Sequence, residues 1–69
     1  MDSFNLSKQE LRILMLICSE KTNHEIAEEL FISKGTVEWH KNKLIQKTGC
    51  KNSVGLVLFA IRQNIYRFN

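Results

Sequence analysis

Two capping-box sequences constrain this chain most strongly, and in each a serine or threonine is followed three residues later by a glutamate. Ser7 with Glu10, and Thr22 with Glu25, place side chains that can bond the free backbone N–H groups at the start of a helix. The chain contains no proline and only three glycines. This pattern predicts helices joined by short turns.

The first two helices follow from these caps. The first helix runs from the Ser7 cap to about Ser19, and its many apolar residues favour a central place in a small core. The second helix covers about residues 23–30, before Ser33 caps a third. Because only about three residues join the second and third helices, we expect their axes to cross steeply, in a helix-turn-helix arrangement.

The last two helices are bounded by residues suited to helix ends. The third helix covers about residues 34–47 and stops at Gly49, since glycine readily adopts the left-handed conformation. The fourth helix starts at a cap on Asn52 or Ser53 and continues to about Gln63, with Asn64 as its C-cap, because asparagine also tolerates a positive φ. The sequence therefore predicts an all-α, compact four-helix domain with a central helix-turn-helix.

The length and composition of the chain limit its class. A chain of 69 residues has room for one small core, so we expect residues 1–69 to form a single domain. The longest apolar run, Ile13–Cys18, is far shorter than the roughly 20 residues that cross a bilayer. Cys18 and Cys50 are too few for a disulfide scaffold. We expect a cytoplasmic domain with no membrane partner.

Charge is distributed unevenly along the chain. Residues 1–32 carry six acidic and three basic side chains, whereas residues 33–69 carry one acidic and seven basic side chains. A domain polarised in this way has one half that attracts polyanions. The alternative is a solvated basic face without a partner.

The outer face of the third helix carries an unusual set of side chains. Residues at i, i+1, i+4 and i+5 project together there, and in this chain they are Glu38, Trp39, Asn42 and Lys43. A merely solvated helix would not display a tryptophan among them. Either Trp39 folds back over the corner between the second and third helices as part of the core edge, or it contacts a macromolecule.

These side chains match the chemistry of base edges in the major groove of DNA. Asn42 can pair with adenine, Lys43 with guanine or a phosphate, and Glu38 with the amino group of cytosine. Lysines around this set supply cations for the phosphates. They are Lys34, Lys41, Lys47 and Lys51.

The chain resembles the LuxR-type (GerE-like) helix-turn-helix domain over about residues 6–65. The residues that carry the resemblance are Leu6-Ser7, Glu10, Thr22-Asn23-His24-Glu25-Ile26-Ala27, Leu30, Ile32-Ser33, Thr36-Val37-Glu38-Trp39-His40, Lys47 and Gly49. This resemblance implies a bacterial source, a role in transcriptional regulation, and homodimers on double-stranded DNA that pair through the last helix. Apart from the resemblance, RNA polymerase is a further candidate partner.

The resemblance also implies roles for single residues. Base-reading positions of the family fall on Glu38, Trp39 and Asn42. Phosphate-contacting positions fall on or near Asn23, Ser33, Thr36 and Lys43. With Lys34 and Lys47 as nearby cations, these residues make up the predicted DNA-binding set.

This sequence departs from the family pattern at several positions. Glu38 stands where the family usually has lysine, and a glutamate there repels phosphate. It must therefore accept a hydrogen bond from a base, pair with Lys34 or Asn42, or lower the affinity. Glu20 stands where the family favours glycine, and Ser53 where it favours arginine. Gly35 replaces a residue that often carries a hydroxyl group.

The fourth helix carries more apolar residues than one core face needs. The inner side is predicted to hold Val57, Ala60 and Ile61. Leu58 and Phe59 then remain on the flanks of Arg62, and we expect these three residues to form a two-fold dimer interface. Scattered surface apolar residues are the alternative.

No arrangement typical of an enzyme or a metal site is present in the sequence. His24 and His40 have no cysteine or carboxylate at ligand spacing, and His40 is expected to be a packed, hydrogen-bonded structural residue. No nucleophile–base pair or glycine-rich phosphate loop is found. We expect no enzymatic activity, cofactor, metal or small-molecule ligand.

Two functions remain. The first is sequence-specific binding of double-stranded DNA by a transcription regulator, or by the output domain of one, with the third helix in the major groove. The second is a protein-interaction module of the same fold, in which Glu38 and Trp39 dock on a partner and so antagonise a regulator or contact the transcription machinery.

Overall fold

The computed structural model describes residues 6–67. Four helices follow one another in this range: α1 (Lys8–Cys18), α2 (Asn23–Leu30), α3 (Lys34–Thr48) and α4 (Ser53–Arg62). Residues 6–67 contain no strand. The prediction of an all-α domain with four helices is confirmed, and each observed helix end lies within one residue of its predicted position.

Side-chain caps start all four helices. In α1 the Glu10 N–H donates to Ser7 Oγ at 3.1 Å, and the Ser7 N–H donates to Glu10 Oε1 at 2.9 Å. The same reciprocal pair forms between Thr22 and Glu25 at the start of α2. Both predicted capping boxes are therefore present, and they satisfy backbone donors that have no partner within the helix.

The caps of the other two helices are single bonds. Ser33 Oγ accepts from the Thr36 N–H at 3.0 Å at the start of α3. Asn52 Oδ1 accepts from the Gly55 N–H at 3.0 Å, so Asn52 rather than Ser53 is the N-cap of α4. An oxygen acceptor thus lies where the chain leaves each turn and enters a helix.

Every helix is followed within two residues by a residue in the left-handed conformation. These residues, with their φ angles, are Glu20 (64°), Phe31 (58°), Gly49 (74°) and Asn64 (59°). Gly49 is the C-cap of α3 as predicted, whereas the C-cap of α4 is Gln63 and the predicted cap, Asn64, is the residue after it. Glutamate and phenylalanine carry a steric cost in this conformation, which shows that the fold imposes the tight turns after α1 and α2.

The apolar core consists of two groups of buried residues. The larger group lies between α1, α3 and α4 and contains Ile13, Leu14, Cys18, Leu44, Leu56, Phe59 and Ala60. The smaller group holds α2 against α3 and contains Ile26, Ala27 and Val37. Ile17 and Leu30 are half-buried and pack against both groups. Because α3 contacts all three other helices, the core fixes its position firmly.

Two assignments within α4 were wrong. Phe59, expected on an exposed flank, is only 8% exposed, whereas Ile61, expected inside, is 38% exposed. The inner face is formed by Leu56, Phe59 and Ala60, which are spaced by three and four residues and therefore share one side of the helix. Ile61 is rotated away from that side, and Leu58 is exposed as predicted.

Candidate nucleic-acid interface

The turn between α2 and α3 sets the position of α3. The Ile32 N–H donates to the Ala27 carbonyl at 3.0 Å, and the Ile32 side chain packs against the smaller core group. Phe31, in the left-handed conformation, points its ring away from the protein and is 94% exposed. One half-buried residue, Ile32, therefore anchors a three-residue turn, and the next helix begins directly at the Ser33 cap.

The outer face of α3 is open to solvent. Trp39 is 56% exposed, and Glu38 and Asn42 are exposed as well. The Trp39 indole is therefore not part of the core edge, although its ring lies edge-on to the His40 ring at a centroid distance of 5.0 Å. The Lys43 ammonium lies 5.1 Å from the centroid of the Trp39 ring. The four predicted side chains thus share one accessible face of the helix.

A hydrogen-bonded network joins the first residue of α2 to the outer face of α3. Asn23 Nδ2 donates to Glu38 Oε1 at 2.7 Å, and Lys41 Nζ donates to Asn23 Oδ1 at 3.2 Å. Neither Lys34 nor Asn42 bonds Glu38 in residues 6–67, so of the three alternatives for Glu38 the pairing with these two residues is not seen. Asn23 and Lys41 are half-buried, whereas Glu38 is exposed.

Lys47 forms an ion pair with a residue of α1. Its ammonium lies 2.8 Å from Oε1 of Glu10, a buried carboxylate in the first turn of α1. The hydrogen bond from Lys47, followed by the one from the Ser7 backbone N–H, holds the pKa of Glu10 below its usual value. A phosphate contact by Lys47 would have to compete with this ion pair.

The N-terminal end of α3 presents small polar groups. The Ser33 and Thr36 hydroxyl groups lie 2.9 Å apart and bond to each other, and Ser33 also caps the helix. Lys34 is exposed beside them, and Thr36 is half-buried. Hydroxyl groups, a cation and the free N–H groups of a helix N-terminus are therefore grouped at one end of the exposed face.

A second exposed surface lies on α4. Leu58 is 49% exposed and Ile61 is 38% exposed, and Arg62 is exposed on the same helix. A pocket of about 260 Å³ opens between α1 and α4, with Leu58 and Tyr66 in its wall. Of the three residues predicted for a dimer interface, Leu58 and Arg62 are accessible, and Phe59 belongs to the core.

The remaining candidates for chemistry are a cysteine, a histidine and possible metal ligands. Burial raises the pKa of the Cys18 thiol, which favours the neutral form. His40 Nδ1 is buried and has no hydrogen-bond partner among the described residues, so the expected hydrogen bond is missing at that atom. In residues 6–67 no three histidine, cysteine or acidic side chains are grouped as metal ligands.

Sequence reasoning missed three features of this interface. Asn23 bridges Glu38 and Lys41. Its bond with Lys41 joins residues 18 positions apart, and no local pattern signals such a contact. The Lys47–Glu10 pair spans 37 positions. The exposure of Phe31 follows from its left-handed backbone, which an apolar side chain gives no reason to expect.

None of the helices in residues 6–67 has the length and hydropathy needed to span a membrane.

Comparison with known proteins agrees with this arrangement of helices. Residues 4–60 match the GerE family, described as bacterial regulatory proteins of the luxR family. Similar proteins include the oxygen regulatory protein NreC of Staphylococcus aureus strains JH9, JH1 and Mu3, each 46% identical over 63 residues. The match covers 91% of this chain and 29% of each relative, so the chain spans less than a third of their length. The chain therefore belongs to the LuxR family of bacterial regulatory proteins, and its four helices form the helix-turn-helix DNA-binding domain of that family.

Proposed function

We propose that this domain binds double-stranded DNA sequence-specifically, with α3 in the major groove, as part of a bacterial transcription regulator. The observation that carries the proposal is the exposure of Trp39 and Asn42 on the outer face of a helix that the core holds on its opposite side. An α-helix fits the major groove, and the N-terminal half of the second helix of a helix-turn-helix reaches the base edges. Such a regulator acts in the cytoplasm, where bacterial DNA lies.

The base-reading residues in this proposal are Glu38, Trp39 and Asn42. Asn42 is exposed and makes no hydrogen bond within residues 6–67, so its amide is free to pair with the N6 and N7 atoms of adenine. Trp39 presents an apolar ring that suits a thymine methyl group or a sugar edge. Glu38 offers a carboxylate, which only accepts hydrogen bonds.

Phosphate contacts surround these residues. Ser33, Lys34 and Thr36 lie at the N-terminal end of α3, where the helix dipole also favours an anion. Lys43 extends from the next turn beside Trp39. Asn23 and Lys47 belong to the same predicted set, but in the free domain Asn23 bonds Glu38 and Lys47 bonds Glu10.

We further propose that two copies pair through the exposed residues of α4. Leu58 and Arg62 remain from the predicted interface, and Ile61 extends the same surface. Two-fold pairing places two copies of α3 about one turn of DNA apart, roughly 34 Å.

The decisive experiment is selection of binding sites from random duplexes, followed by titration of the selected site at several salt concentrations. Binding through phosphates predicts that log K falls linearly with log salt, by about 0.9 for each phosphate neutralised. In addition, Asn42→Ala should reduce affinity for the preferred site by about 1–3 kcal/mol and relax specificity at one base pair. Equal weakening on every duplex would assign Asn42 to the backbone.

A protein-interaction module is the second candidate. The exposed aromatic rings of Phe31 and Trp39 favour it, because large exposed apolar side chains often mark protein contacts. The exposed face of α2 is also acidic, with Glu25, Glu28 and Glu29, and therefore repels DNA. A flat salt response, with no site recovered from random duplexes, would support this candidate.

A further inference from the structure

The Asn23 side chain is oriented by both of its partners. A carboxylate can only accept hydrogen bonds, and an ammonium group can only donate them. Glu38 must therefore face the Asn23 amide nitrogen, and Lys41 must face the Asn23 oxygen, as the distances of 2.7 and 3.2 Å show. Reversing the amide would lose both bonds. The chemistry of the network thus fixes one orientation of Asn23 and one position for Glu38 Oε1.

Lys41 also offsets the negative charge of Glu38. Its ammonium is held on the far side of a polar amide, so the network carries one positive and one negative charge, with Asn23 between them. This arrangement reduces the repulsion of Glu38 by phosphates, which is the difficulty of a carboxylate on a DNA-facing helix. The second carboxylate oxygen of Glu38, Oε2, makes no hydrogen bond within residues 6–67. Because Glu38 is exposed, this oxygen is available to a ligand.

A fixed carboxylate discriminates among bases by its inability to donate. In the major groove cytosine presents an amino donor, whereas guanine presents two acceptors and thymine presents the O4 acceptor. Adenine presents the N6 amino donor beside the acceptor N7, and a carboxylate is repelled by N7 because it has no proton to donate. A carboxylate in a set position therefore favours cytosine and is repelled by guanine and thymine.

We propose that Asn23, itself held by Lys41, positions the Glu38 carboxylate to accept from the amino group of cytosine, so that this network makes the domain specific for a C·G pair. The inference rests on the proposed function and assigns Asn23 as a positioning residue. It differs from a phosphate contact by Asn23, which would carry no sequence information.

The experiment measures affinities for four duplexes that differ only at the base pair read by Glu38. That pair is the position of the selected site at which Glu38→Ala loses discrimination. The wild-type domain should prefer cytosine over guanine or thymine there by about tenfold or more. Glu38→Gln should move the preference towards adenine, because a glutamine amide can accept from the adenine N6 amino group and donate to N7.

Variants at Asn23 test the positioning role. Asn23→Ala should lower the cytosine preference several-fold while the dependence of log K on log salt stays that of the wild type. Asn23→Asp keeps the shape of the side chain and removes the donor, so it should give the same loss. In a Glu38→Gln background Asn23→Ala should change the base preference much less, because the two residues act as one unit. Glu29→Gln, at an exposed carboxylate outside the network, serves as the control.

Other outcomes overturn the inference. If Asn23→Ala weakens binding to all four duplexes equally and lowers the salt slope by about one, Asn23 is a phosphate contact. If the wild-type domain binds DNA with no cytosine preference at any position, the network has no role in specificity, although the proposed function stands. If the wild-type domain shows no salt-dependent binding to DNA, the proposed function fails together with the inference.

Discussion

Lys47 and Glu10 join the last turn of α3 to the first turn of α1, with 2.8 Å between the ammonium nitrogen and Oε1 of the carboxylate. The same Oε1 accepts from the Ser7 N–H, so one oxygen serves both the helix cap and the ion pair. Glu10 is buried, whereas the Lys47 side chain is 37% exposed. A lysine that the sequence assigned to phosphate is thus paired with a carboxylate of the domain itself in the absence of DNA.

The first prediction concerns Glu10 and acid. Replacing Glu10 with glutamine keeps the capping box but removes the charge, and should lower the free energy of unfolding at neutral pH by about 1–3 kcal/mol. The folded-state pKa of Glu10 lies below its usual value of 4.5, so the unfolded chain binds the proton more readily. Wild-type stability should therefore fall as the pH drops below about 4.5, and the variant should lose less stability over that window.

Urea denaturation of both proteins between neutral and acidic pH checks this prediction. The pKa of Glu25 is also lowered, mainly by the hydrogen bond from the Thr22 backbone N–H, so some acid sensitivity is shared by both proteins. Glu29→Gln, at an exposed residue, should behave as the wild type. If the free energy of unfolding depends on pH in the same way for the wild type and for Glu10→Gln, the ion pair does not contribute to the acid sensitivity of the domain.

The second prediction concerns Lys43 as a phosphate contact. Its ammonium is held near the Trp39 ring on the outer face of α3. Lys43→Met should weaken binding on all duplexes and reduce the slope of log K against log salt by about 0.9. Lys8→Met, at an exposed residue of α1, removes the same charge and should leave the slope unchanged. A loss confined to one sequence would instead assign Lys43 to a base.

The third prediction uses Trp39 as a fluorescent reporter, since it is the only tryptophan of the chain. Because the indole is 56% exposed in the free domain, its emission should shift or be quenched when duplex DNA covers it. Trp39→Ala should lower DNA affinity while changing the free energy of unfolding by less than about 1 kcal/mol. An emission spectrum that saturating DNA leaves unaltered would place Trp39 outside the interface.

The fourth prediction concerns the left-handed residues. Phe31 is 94% exposed at a φ of 58°, so Phe31→Asn removes little packing and introduces a residue that tolerates this conformation. The free energy of unfolding should rise by about 0.5–1 kcal/mol. Asn64→Ala, at a φ of 59°, should lower it by a similar amount. Chemical denaturation measures both changes, and a destabilised Phe31→Asn variant would reveal packing by the ring.

The fifth prediction separates the two adjacent apolar residues of α4. Phe59→Ala creates a cavity in the core and should cost about 3–5 kcal/mol of stability. Leu58→Asp, at an exposed position, should leave the fold intact but prevent two copies from binding side by side on a duplex with two half-sites. Binding to a single half-site should be retained. If Leu58→Asp binds both half-sites as the wild type does, the pairing surface lies elsewhere.

Local signals in the sequence determined the secondary structure of this domain. Each cap joins residues three positions apart, as in Ser7 with Glu10, so the geometry of one helical turn is sufficient to predict it. Gly49 caps the end of α3, and Asn64 lies two residues after the end of α4; both adopt the left-handed conformation that their own backbone preferences favour. The side chains on the outer face of α3 could also be predicted from the sequence, because helical spacing alone places Trp39 and Asn42 together.

Only the tertiary structure decided which side chains of different helices pack together and which charged groups pair. Phe59 or Ile61 suited the inner face of α4 equally well by hydropathy, and the packing of α1 and α3 against that helix selected Phe59. Glu38 found its partner on another helix, in Asn23, and Lys47 found its partner in Glu10. Contacts of this kind depend on the distances between helices, which are set when the apolar residues pack together and not by the spacing of residues along the chain.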